Sequence, residues 1–217
     1  MAEALDDVAA IGGFFALRVG GGDEGWCPVD HFYSHGFAGL YTAVAARYRT
    51  TELRVGVSIA HLGYAARLWS PVLACVLLHG IVPDLSGLQH AEEGSELRLP
   101  EPAGWYADSL SDSTGSLYAE VMRHLDALRA GLHVKVAPRL LDGNAASALA
   151  GSGGVLLSAH PHLRAPLGEL VTDLLARGQL AGTGQVIGPD LAFRRRSCCL
   201  YYRTPSGTKC GDCCFAS

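Results

Sequence analysis

Five of the seven cysteines in this 217-residue chain fall between positions 198 and 214: Cys198, Cys199, Cys210, Cys213 and Cys214. Cys27 and Cys75 stand alone in the first 193 residues. A disulfide framework spreads its cysteines to close loops across a small fold, and these do not. Nor does the chain need staples. At this length, with 49% apolar and 18% charged residues, it buries a sizeable core unaided, and disorder is excluded as its dominant state. Thiols gathered in one place are what a metal site looks like.

The spacing is two adjacent cysteines, ten residues, Cys210, two residues, Cys213. A C-x-x-C pair turns two sulfurs inward on a tight turn, here around Gly211. The ten-residue loop, with Pro205 and Gly207, folds back to deliver the first pair. Four thiolates suit tetrahedral zinc or an iron–sulfur cluster. Neighbouring residues of an extended chain point to opposite sides, so Cys198 and Cys199 serve one small ion poorly without a distorted backbone. A [2Fe–2S] rhomb offers two irons, and its ligands need not meet at one atom. Geometry therefore favours iron–sulfur and leaves zinc as the alternative.

Charge follows the same division. Residues Arg194 to Ser217 hold five basic side chains and one acid, a net +4, within a chain whose formal charge is −4; residues 1–193 thus carry −8. Such a tail suits an anionic surface, or it offsets bound thiolates. The N-terminus is acidic and has neither the basic start nor the apolar run of a secretory signal. The longest apolar stretch, Pro71 to Val82, is too short to span a bilayer and reads as a core helix. A cytoplasmic location without a transmembrane segment is expected, peripheral membrane association staying open.

Periodicity predicts helices over Gly36–Tyr48 and Glu52–Leu68, and a further one started by Ser70-Pro71 and closed at Gly80 and Pro83. Residues 84–106 read as a β-hairpin or irregular loop. Helices return around Leu117–Leu132, over Pro138–Leu149 (ending in Gly151-Ser152-Gly153-Gly154) and over Leu163–Arg177. Residues 11–19, 191–193 and 200–202 look strand-like, and 182–189 like a linker. The expected class is α+β, mostly α: a helical body over residues 1–190 and a cysteine-bearing segment over 191–217.

The run Arg195-Arg196-Ser197-Cys198-Cys199-Leu200-Tyr201-Tyr202-Arg203, followed by Cys210-Gly211-Asp212-Cys213, resembles the C-terminal signature of the FhuF family, siderophore-linked ferric reductases. Arg67-Leu68-Trp69-Ser70-Pro71 and Gly143-Asn144-Ala145-Ala146-Ser147-Ala148-Leu149 also resemble family segments. Family members often carry an aromatic residue where this chain has Asp142, and usually proline where Cys214 stands. The resemblance implies that Cys198, Cys199, Cys210 and Cys213 ligate a [2Fe–2S] cluster. It further implies that the chain reduces chelated Fe³⁺, releasing Fe²⁺ from a siderophore, hydroxamate-type chelates being favoured. No flavin or nicotinamide motif is evident, so an external donor of ferredoxin or flavoprotein type is expected. The cluster is anionic and more so when reduced, so nearby cations favour the reduced form; Arg194, Arg195, Arg196, Arg203 and Lys209 are the candidates.

Two other readings are kept: a helical binding protein with a structural zinc knuckle, whose arginines would face nucleic acid, and an iron–sulfur carrier or sensor without siderophore specificity. The reductase reading has no nucleic-acid partner. Weaker patterns add little. Gly20-Gly21-Gly22-Asp23-Glu24-Gly25 matches a dinucleotide fingerprint formally, but Trp26-Cys27-Pro28 follows in place of a helix and two acids would repel phosphate. The pairs His31/His35 and His160/His162 are more simply solvated or core histidines.

Overall fold

The longest helix in the computed structural model, which describes residues 1–216, is α4, Leu53–His79. It is apolar on nearly every face and buried along most of its length, with Val57, Tyr64, Leu68, Trp69 and Leu73 in the core. By length and composition alone it could cross a membrane, yet most of its most apolar stretch is covered by the rest of the fold. It ends at Gly80, which takes the left-handed conformation (φ 65°) while its N–H bonds the Val76 carbonyl at 3.0 Å.

The expected break at Ser70-Pro71 does not occur; α4 runs through it. Ser70 caps nothing, its hydroxyl lying 2.8 Å from that of Ser152 on α6, Pro138–Ala159. Burial between neighbours holds the helix together across the donor that proline lacks. Helix α6 likewise continues past Leu149 through the glycines. A Cβ on Gly153 would stand 2.9 Å from Leu191 Cδ1, so glycine there permits close packing where a side chain would not.

Helices α4 and α6 form the central pair. Around them pack α1 (Ala2–Ala9), α3 (Ala38–Arg47), α5 (Ser113–Ala130) and α7 (Arg164–Leu175), with the short α2 (Val29–Ser34) on α5. The crossing of α3 on α4 is tight at Gly56, where a Cβ would come within 2.6 Å of the Tyr41 carbonyl.

The hairpin expected between 84 and 100 is present as β4 (Gln89–Ala91) and β5 (Leu97–Leu99), with β1 (Arg18–Val19) parallel to β5 and β2 (Trp26–Pro28) antiparallel to β4. A separate pair, β3 (Ile81–Asp84) with β6 (Ala103–Tyr106), flanks it. The strand-like run 11–19 holds a 3-10 turn, Gly13–Phe15, and only two strand residues. The region read as a linker contains β7 (Gly184–Val186), paired antiparallel with β8 (Phe193–Arg195). Residues 201–203 form a 3-10 turn instead of a strand, because Leu200 enters the left-handed region (φ 66°) and folds the chain back. The result is α+β, mostly α, as expected. The glycine loop at 20–22 turns its carbonyls toward a cation: Arg98 donates to Gly20 O at 3.2 Å and to Gly22 O, and pairs with Asp23 at 2.7 Å. That loop seats a guanidinium and has no phosphate-binding geometry.

Candidate metal centre

The cysteine segment leaves β8 at Arg195 and is fixed to the central helix pair by polar contacts from both members. On α4, the buried Ser58 donates its hydroxyl to the Cys199 carbonyl at 2.7 Å. On α6, the fully buried Asn144 donates to Ser58 O at 2.9 Å and accepts from Arg195 Nη2 at 2.5 Å. One turn further along α6, Ser147 donates to the Asp212 carboxylate at 2.5 Å. Arg195 N–H bonds Asp212 O at 3.1 Å, joining the two ends of the segment. A Cβ on Gly143 would strike Ser197 Oγ, so this glycine lets the segment lie against α6.

Within the segment, Cys213 N–H bonds the Cys210 carbonyl at 3.1 Å and closes the C-x-x-C turn. Gly211 does not use the left-handed freedom expected of it; Leu200, directly after the adjacent pair, takes that conformation instead. Cys199 and Cys210 bring their sulfurs to 3.3 Å, one from each pair. Leu200 N–H points at Cys198 Sγ (3.3 Å) and Phe215 N–H at Cys213 Sγ (3.4 Å). All five cysteines are free thiols, with Cys199 and Cys213 buried and Cys198, Cys210 and Cys214 half-buried.

Burial pushes the Cys210 thiol well above its usual range, and its contacts with Cys199 and Asp212 add to the shift. Cys214 is also raised, first by burial and then by the charges of Cys198 and Cys213, while Arg195 opposes the rise. A thiol raised in this way, as Cys210 is, gives up its proton when it binds metal.

The donor set fits a [2Fe–2S] cluster. Among the described residues no three thiol, imidazole or carboxylate groups converge on one point, as a lone ion requires. Two irons do not impose that demand. One sulfur from each motif, Cys199 and Cys210, in contact, with backbone N–H groups directed at Cys198 and Cys213, suits a binuclear centre.

The five cations named as tuning candidates part company here. Arg195 is 1% exposed, 3.8 Å from Asp212 through Nε, and among the described residues its Nε and Nη1 have no hydrogen-bond acceptor. Arg203 is taken up by Glu52 at 2.9 Å. Arg196 and Lys209 are exposed, Arg196 reaching only the Gly182 carbonyl at 3.5 Å. Arg194 is exposed too. Ser58, Asn144, Ser147 and Asp212 were not among the expected site residues. Asn144 is a buried hydrogen-bonding group within the helix, not a cap; Ser58 carries no local signal.

Residues 195–215 match the family model described as the FhuF 2Fe-2S C-terminal domain. No curated protein and no solved structure matches the chain. The match agrees with the resemblance drawn from the cysteine run and names the cofactor, a [2Fe–2S] cluster.

Proposed function

We propose that this chain is a ferric-siderophore reductase that releases iron as Fe²⁺ in the cytoplasm, and that Cys198, Cys199, Cys210 and Cys213 hold its cluster. One observation carries the reading: a segment matching a 2Fe-2S domain is locked to the helical core by Ser58, Asn144 and Ser147, yet lies at the surface. Tyr202 and Phe215, stacked edge to face at 6.0 Å, are 48% and 57% exposed beside the thiols.

When bound, the cluster supplies single electrons, and one Fe³⁺ becomes Fe²⁺ for each electron drawn from an external ferredoxin- or flavoprotein-type donor. Hard oxygen ligands hold Fe²⁺ far less tightly than Fe³⁺, so reduction frees the metal. The protein's own part is structural and electrostatic. Ser58 and Ser147 fix the two motifs relative to each other, and the Leu200 and Phe215 N–H groups stabilise negative sulfur. Among the candidate cations Arg195 is the best placed to favour the reduced form; Arg196, Arg203 and Lys209 are solvated or already paired.

Anaerobically purified protein should be coloured, with iron and acid-labile sulfide in equal amounts. Dithionite-reduced protein should be reoxidised by a ferric trihydroxamate while a ferrous trap develops colour. A colourless protein with one zinc would overturn the reading in favour of a zinc knuckle. A cluster that no ferric chelate reoxidises would leave an electron carrier or sensor.

A further inference from the structure

We propose that the exposed cations around the cysteine segment form the docking face for the electron donor, and that the donor is a small redox protein with an acidic surface. This rests on the reductase reading above, which needs an outside donor but does not say where it lands. Along β8 and the residue after it side chains alternate, so Arg195 points into the core while Arg194 and Arg196 both stand outside. Helix α6 supplies a third cation. Arg139, Gly143 and Ser147 recur at helical spacing; Gly143 lies under Ser197, and Ser147 holds Asp212. Arg139 therefore emerges one turn from the contact with Ser197, next to Cys198. It is exposed and reaches the Gly182 carbonyl at 3.4 Å, the same oxygen that Arg196 reaches at 3.5 Å. Lys209, exposed beside Cys210, adds a fourth.

These charges are left without counterparts. Elsewhere Arg18, Arg123, Arg164 and Arg177 each face a carboxylate at 2.7 to 2.9 Å. Among the described residues Arg139, Arg194, Arg196 and Lys209 form no such pair. The one acidic side chain between Arg194 and Ser217, Asp212, is held by Ser147. Two guanidiniums drawn to one carbonyl repel each other, and an acidic surface laid against them relieves that repulsion.

The make-up of the surface suits a protein. The four cations stand exposed on a strand, a helix end and a loop, and the exposed pair Tyr202 and Phe215 lies in the same segment, Phe215 placed by its N–H on Cys213 Sγ. Aromatic side chains with charged neighbours are typical of protein interfaces. A compact chelate reaches one or two such charges, whereas a protein face meets them and the aromatics together. The chain as a whole is negative, at −4. Net charge would repel an acidic donor where this face attracts one, so the two effects give opposite salt dependences.

The test uses full-length, cluster-loaded protein in stopped flow. Reduction by an acidic [2Fe–2S] ferredoxin should slow roughly tenfold as salt rises from about 20 to about 300 mM. Oxidation of the reduced cluster by cytochrome c, a basic protein, should quicken or stay level. Arg194→Glu/Arg196→Glu should lose roughly tenfold in the ferredoxin rate at low salt, with the cluster spectrum and melting temperature kept and the midpoint potential little moved. Arg18→Glu/Arg123→Glu, the same change in net charge elsewhere on the chain, should react as the unmodified protein does. Equal losses in the two double variants, or a ferredoxin rate that rises with salt, would overturn the proposal. Salt-sensitive binding of a DNA duplex, with a ferredoxin rate indifferent to salt, would give the face to nucleic acid instead. Reoxidation by a ferric tricatecholate that Arg194→Glu/Arg196→Glu loses, with the ferredoxin rate unchanged, would give it to the chelate. Reoxidation by a ferric chelate, with a ferredoxin rate indifferent to salt and to both variants, would remove the face and leave the reductase reading. Docking as expected, with a cluster that no ferric chelate reoxidises, would keep the face and remove that reading.

Discussion

Arg195 carries its charge in the interior with only partial compensation. Asn144 satisfies Nη2, Asp212 stands 3.8 Å from Nε, and among the described residues Nε and Nη1 have no acceptor. A buried cation left this way is costly unless an anion completes its surroundings. An anionic cluster held by the neighbouring thiols is such a partner, and more so when reduced. Arg195→Gln should therefore lower the midpoint potential by about 60 mV, a tenfold shift in a one-electron equilibrium. Arg196→Gln and Lys209→Gln, changed in solvent, should move it little. A redox titration followed by electron paramagnetic resonance measures all three; equal shifts would show that Arg195 has no special place. Among the thiols, Cys199→Ser should lose or alter the cluster spectrum and Cys75→Ser should leave it intact, since Cys75 lies within α4 in the apolar core. The reverse pattern would contradict the ligand assignment.

Between elements, the decisive surface is the contact of α6 with the cysteine segment. Gly143 has no room for a side chain, because Ser197 Oγ and Arg195 Nη2 occupy the place of its Cβ. Gly143→Ala should raise intrinsic helix propensity by about 1 kcal/mol yet lower cluster occupancy by forcing the segment off α6. Iron per chain and the melting temperature, measured together, separate the two effects; full occupancy would show that the contact does not position the thiols. This contact also marks how far the sequence could be read. The cysteines, the hairpin and the helices around Leu117–Leu132 and Leu163–Arg177 were legible because spacing and periodicity are local properties. Ser58 and Asn144 meet across 86 residues, and no local pattern announces such a bond. Ser70-Pro71 gave a true local signal for a helix start that burial between α4 and α6 overrode. The polar frame of the site was illegible for the same reason: it arises from tertiary packing.

For the molecule as a whole, buried histidines tie the helical core to pH. His61 on α4 is fully buried with its pKa lowered to about 3, chiefly by burial and then by Arg129 and Arg195. His124 on α5 is lowered to about 4, again chiefly by burial, with Arg123 adding. Its neutral form is built into a chain of hydrogen bonds. Nε2–H donates to Leu85 O at 3.1 Å, which leaves Nδ1 to accept from the Tyr33 hydroxyl at 2.9 Å, and Tyr64 donates to Tyr33 at 2.7 Å. Both folded pKa values lie below the unfolded value of 6.5. Above that value neither state is protonated and stability is flat. Below it the unfolded chain takes up protons that the folded chain refuses, so stability falls as pH drops toward the folded values. Each histidine should contribute a slope of about 1.4 kcal/mol per pH unit, or roughly 2 kcal/mol by pH 5. Together that is a large part of the roughly 5–15 kcal/mol that holds a domain folded. Urea unfolding at pH 7.5 and pH 5 measures the loss, and His124→Gln should flatten the slope by about one proton's worth. If stability does not change between those pH values, the two imidazoles are not held neutral, and the bond from Tyr33 to Nδ1 does not fix the tautomer.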